Sequence, residues 1–101
     1  MIIYNVTTQV DLAIADNWLK WMRDEHIPEV TATGCFTHAV ILQMIEVDTS
    51  EGLTYAVQYH ADSKAQYNRY IREYAELLRK KALDKWGNKM IAFRTVLQLV
   101  D

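Results

Sequence analysis

The chain is poor in the residues that break, staple or anchor a fold. Its 101 residues include one cysteine, one proline and three glycines. A lone Cys35 excludes an intrachain disulfide and fits a reducing compartment, so a cytoplasmic location is expected. So few prolines and glycines leave no linker, repeat or low-complexity segment. No apolar run approaches the ~18 residues that a membrane span requires. The opening MIIYNVTTQV has neither a basic stretch nor a long apolar one, so it does not read as a signal peptide. Charge of one sign is also missing: 11 basic residues face 13 acidic ones, net −2. That balance argues against a nucleic-acid or membrane surface driven by bulk charge.

Hydrophobic residues make up 50% of the chain, which is ample for a core. A domain of about 100 residues folds without metal or disulfide. One domain spanning residues 1–101 is expected, with no cofactor.

The hydrophobic periodicity changes four times along the chain. Residues 2–10 alternate, with Tyr4, Val6 and Val10 against Asn5, Thr7 and Gln9, which predicts a strand. Asp11 can cap the helix that follows. Ile14, Trp18, Trp21, Met22 and Glu25 recur at steps of three and four, as on one face of that helix. Pro28 disfavours helical geometry at Ile27, so the helix should bend or restart there, with Gly34 just past its end. Residues 35–47 form a long apolar run rich in β-branched side chains, read as a second strand, and residues 48–52 as a hairpin loop. Residues 53–60 alternate again. A second helix begins at Asp62 or Ser63, carries Tyr67, Tyr70, Tyr74, Leu78 and Trp86, and ends at Gly87. A last strand covers about residues 89–100.

The order β-α-β-β-α-β is that of the ferredoxin-like α+β sandwich. It predicts a four-stranded antiparallel sheet, order 4-1-3-2, with both helices on one face. The alternation places Tyr4, Val6, Tyr55, Val57, Ile91, Phe93 and Leu97 under the helices. It leaves Asn5, Thr7, Gln58, His60, Arg94, Val96 and Gln98 on the other face. The second strand contributes to the open face either the Cys35, Thr37, Ile41 row or the Phe36, His38, Val40 row; both are apolar. As a long apolar edge strand it needs covering. A homodimer formed sheet to sheet would cover it.

Three segments carry a family likeness: WLKWMRDEHIPEVTATGCF (18–36), YAVQY (55–59) and AFRT (92–95). The chain resembles the domain-of-unknown-function family 4286, which is similar to the dimeric α+β barrel superfamily. That superfamily includes antibiotic-biosynthesis-type monooxygenases and other small-molecule proteins. The resemblance implies the barrel-type fold and the dimer, and it implies no activity.

His26, in His26-Ile27-Pro28, is a candidate acid or base, because a histidine changes charge near neutral pH; a helix C-terminal cap is its plainer role. A histidine-x-proline here is similar to one in some barrel relatives. Asn5, Thr7, Gln58 and Arg94 form the second candidate set. Arg94 could grip a carboxylate with its fork while Asn5 and Gln58 orient a carbonyl or hydroxyl. The plainer alternative is a polar network in a dimer interface, with Arg94 paired to an acid such as Glu46. Trp18, Trp21 and the helical tyrosines read first as core. Cys35 lacks a base, since His38 falls on the other strand face. The three histidines, 26, 38 and 60, lie on separate elements, so no metal is expected.

RNA-recognition domains share this topology, but they put aromatics and a basic, glycine-rich motif on the third strand. Here that strand is LTYAVQYH, and Arg79, Lys80, Lys81 and Lys85 alternate with Glu76 and Asp84 as on a solvated helix face. No nucleic acid is expected. Two functions fit: a homodimeric module that binds a small molecule or a partner protein without catalysis, or a cofactor-free monooxygenase-like enzyme. The enzyme would need a cleft of several hundred cubic ångströms lined by Asn5, Gln58 and Arg94. Relatives of that type commonly use an Asn, Trp and His set, of which Asn5 could supply the first.

Overall fold

The computed structural model describes residues 1–101. Strand β1 (Ile2–Val10) leads into α1 (Ala15–Trp21), a π-helical turn (Met22–His26) and α2 (Ile27–Ala32). Then come β2 (His38–Gln43), β3 (Leu53–Ala61), α3 (Lys64–Glu73), α4 (Ala75–Trp86) and β4 (Met90–Gln98). The four strands form one antiparallel sheet in the order β2-β3-β1-β4, as the ferredoxin-like reading requires. Both helical arms pack on one face of the sheet. No helix is long and apolar enough to cross a membrane.

β1 is one of the two interior strands, between β3 and β4. Tyr4 pairs across it with Tyr59 of β3 and Val96 of β4, and Val6 pairs with Val57 and Arg94. The helix-facing row of β1 is therefore Ile2, Tyr4, Val6, Thr8 and Val10. With Tyr55, Val57 and Tyr59 from β3 and Trp18, Met22, Val30, Tyr70 and Leu78 from the helices, most of this row forms the buried core.

Three boundaries differ from expectation, each for a local reason. Asp11 does not cap α1. Its Oδ1 accepts from Ala13 N–H at 2.8 Å, a tight Asx turn, and the helix starts four residues further on. Ser63 does cap α3, accepting from Gln66 N–H at 3.3 Å. The second strand covers only His38–Gln43, because Cys35 and Phe36 turn into the core before it and Glu46 takes a left-handed φ of 59° after it. Within that strand His38, Val40 and Leu42 stand on the open face.

The parity of β4 is also corrected. Arg94 and Val96 lie opposite Val6 and Tyr4, on the helix face; Ile91, Phe93, Thr95 and Leu97 lie on the open face, with Phe93 67% exposed. The register to β1 sets this, and local polarity points the other way.

Gly52, at the entry to β3, is buried. A Cβ there would collide with the Val10 carbonyl, because the two backbones need the space. Gly52→Ala should lower stability by about 1–3 kcal/mol through this overpacking. Urea denaturation measures it, and an unchanged midpoint would show that the hairpin yields without cost.

Candidate functional site

A cavity of about 50 Å³ lies between the helical arms and the β1/β4 half of the sheet. Its wall is largely aromatic and aliphatic: Tyr4, Trp18, Trp21, Met22, Tyr59, Tyr70 and Met90 contribute to it. Its polar members are Thr8, His26, Arg79 and Arg94, and no aspartate or glutamate lines it.

The first helical arm brings His26 to this cavity by an unusual route. Proline at 28 has no N–H, and its ring would press on the carbonyl of Asp24 in a regular helix. The chain widens instead: Ile27 N–H donates to the Met22 carbonyl, five residues back. Residues five apart on an α-helix are offset by roughly 140°. The wider turn brings them closer into line, and His26 stacks on Trp21 with ring centroids 4.7 Å apart and planes at 24°. Trp21 in turn meets Trp86 of α4 edge-on at 5.8 Å. The bend predicted at Pro28 is this π turn, and it aims the histidine inward.

Burial pushes the His26 pKa down to about 4, with the Arg94 and Lys81 charges acting in the same direction and Glu29 opposing them. Glu29 is held by Lys81 at 2.8 Å. His26 is thus a neutral imidazole at neutral pH. The Tyr59 and Tyr70 phenols are pushed up by burial and by neighbouring tyrosines, so they remain protonated.

Arg79 spans the inner wall. Its guanidinium donates to the Tyr4 hydroxyl at 2.9 Å, while its Nε–H is buried without a partner. Trp18, 2% exposed, also keeps its indole N–H without a partner. Arg94 is exposed and belongs to none of the four ion pairs of the molecule, so the expected Glu46 pairing is not made.

The candidate residues thus fall on two sides of the sheet. His26 and Arg94 meet at the cavity. Asn5, Thr7 and Gln58 stand together on the open face. There the Asn5 amide donates to Thr7 Oγ1 at 3.0 Å and Thr95 Oγ1 at 3.1 Å, and Gln58 lies opposite in register. Asn5 Oδ1 is buried without a partner. Sequence reasoning did not single out Thr95, whose place depends on the β4 register. It also read Arg79 as part of a solvated basic face. The available signal was its helical spacing, four residues after the buried Ala75 and three before Ala82, which lines the same cavity. Cys35 is buried and His38 exposed, as independent residues.

Residues 1–100 match the family model described as Domain of unknown function (DUF4286). No curated protein matches the chain. Among solved structures the chain is similar to a dimeric ferredoxin-like protein from an uncultured marine organism. The identity is 11%, the match covers 99% of this chain and 96% of that one, and the TM-score is 0.64, which establishes the shared fold.

The depressed His26 pKa has a consequence for stability. The unfolded histidine takes up a proton near pH 6.5, whereas the folded one resists until about pH 4. The stabilising contribution is therefore complete above pH 6.5 and is lost as pH falls toward 4, by about 3 kcal/mol in total. Urea denaturation at pH 7, 5.5 and 4.5 should show a steeper acid loss for the native chain than for His26→Gln. Parallel losses would place the acid sensitivity elsewhere.

Proposed function

The chain belongs to the DUF4286 family, and on that premise we propose that it is a homodimeric module, joined through its open sheet face, that binds a small molecule in each helix–sheet cavity without catalysis. The observation that carries the binding half is that two residues of the cavity wall, Trp18 and Arg79, each keep a buried donor without a partner, the indole N–H and the Nε–H. A buried donor without an acceptor costs about 1–3 kcal/mol, which a bound acceptor would recover.

The pairing half is supported by the face itself. Val40, Leu42, Ile91, Phe93 and Leu97 are all exposed on it. Four strands about 4.8 Å apart and nine residues of ~3.3 Å each give a face on the order of 600 Å² in projection. That is the scale of the ~800 Å² per partner of a stable interface. The structural neighbour described above is dimeric. A second copy would also offer the Asn5 Oδ1 acceptor the donor it lacks within one chain. Catalysis finds less support: the cavity holds about 50 Å³ and shares only Arg94 with the set an enzyme cleft was expected to use.

Sedimentation equilibrium should give twice the chain mass for the native protein. Phe93→Glu, which puts a charge on the β4 side of the apolar face, should raise the dimer dissociation constant at least 100-fold with the fold intact by circular dichroism. A monomeric native chain would end the pairing proposal. For binding, a panel of neutral and anionic fragments of up to about six non-hydrogen atoms should move the Trp18 and Trp21 indole NMR signals saturably. A panel that leaves both signals in place would end the binding proposal.

A further inference from the structure

We infer that the helix–sheet cavity is a carboxylate site: it takes the anionic head of a small monocarboxylic acid. The inference deepens the small-molecule reading above and rests on it.

Charge is the first argument. Two arginines, Arg79 and Arg94, line the cavity, and no aspartate or glutamate does. Glu29, the acid whose charge acts on His26, is occupied by Lys81 at 2.8 Å. His26 is neutral and cannot answer the two cations. The region therefore carries uncompensated positive charge against an apolar wall, where an anion is attracted more strongly than in water. Arg94 has the freedom to serve: it is exposed, unpaired, and stands at the edge strand β4.

Hydrogen bonding is the second. The Tyr4 hydroxyl already occupies one guanidinium nitrogen of Arg79, which fixes the group in place while its Nε–H stays free. The Trp18 indole N–H is free as well. Both atoms can only donate, so the missing partner is an acceptor. An ionised acceptor makes shorter and stronger bonds than a neutral one.

Size and shape are the third. At ~10–15 Å³ for each water-sized group, the cavity holds about four such groups. That matches the non-hydrogen atoms of acetate. The wall is built from flat rings, with Trp21 and His26 stacked and Trp18 lying on Tyr55 at 5.3 Å. A planar carboxylate suits such a wall better than a tetrahedral oxyanion does.

The test follows the Trp18 indole N–H signal of the full chain at pH 7. Sodium acetate and sodium isobutyrate are titrated against acetamide and sodium phosphate, with sodium chloride holding ionic strength constant. Acetate should shift the signal saturably, and acetamide should bind at least tenfold more weakly. Arg94→Gln should weaken acetate about tenfold, as loss of a bond to a charged group does, without changing the chain's fold or mass in solution. Arg79→Lys, which keeps the charge and loses the Nε–H, should weaken acetate less than Arg79→Gln. An equal response to acetamide would overturn the carboxylate class and leave the small-molecule reading standing. A preference for phosphate would overturn it in the same way. No response to any of these four compounds would overturn the carboxylate inference, and failure of the wider fragment panel would then remove the binding reading too.

Discussion

Tyr4 joins the parts of this molecule that the rest depends on. It sits on the interior strand β1, 3% exposed, with four other rings around it: Phe36, Tyr59, Tyr67 and Tyr70, at centroid distances of 6.1, 5.9, 5.6 and 5.7 Å. These come from the lead-in to β2, from β3 and from α3, so one side chain ties three segments to β1. Aromatic contacts of this kind add about 0.5–1.5 kcal/mol each beyond the area they bury. The Tyr4 hydroxyl then reaches a fourth segment by accepting from Arg79 of α4. The ring supplies packing and the oxygen supplies orientation. Without that oxygen the Arg79 guanidinium would have no fixed place beside the cavity.

The other wall depends on a compensation between proline and helix geometry. Pro28 cannot be accommodated in an unbroken α-helix, and the chain answers by inserting a π turn rather than by ending. The first arm therefore stays continuous from Ala15 to Ala32, while its face is rotated between Trp21 and His26. That rotation turns two residues on different sides of a regular helix into a stacked pair. Burial keeps the imidazole neutral, and the Arg94 and Lys81 charges act with it. The cavity's charge thus comes from arginine alone.

Much of this was legible in the sequence, and the rest failed for definable reasons. Alternation in β1 and β3 is clean, because one row is apolar and the other polar, so both strands and their buried faces follow from it; the strand order follows from the β-α-β-β-α-β sequence of elements. In β4 each row carries apolar side chains, Ala92 and Val96 on one and Phe93 and Leu97 on the other. The choice between them is made by pairing with a strand some ninety residues away, Ile2 with Gln98. Local pattern had no access to that pairing, and so Arg94 was assigned to the wrong face. The residues Asn5, Thr7 and Gln58 fell where alternation put them. His26 was singled out for its proline neighbour, but the direction in which it points depends on a hydrogen-bond shift that no residue type announces. Arg79 was hidden because a helix bearing many charges looks uniformly solvated until its contacts are known.

The interior position of β1 also governs how the chain acquires its shape over time. Ile2 is made well before either of its partners, Ala61 and Gln98. The middle of the sheet is therefore completed last, and the two long crossings must close before their contacts give any return. Until then the hairpin of β2 and β3 can form alone, exposing the apolar faces of both strands to other nascent chains. The same strand that holds the finished molecule together is thus the one to which both long crossings must return.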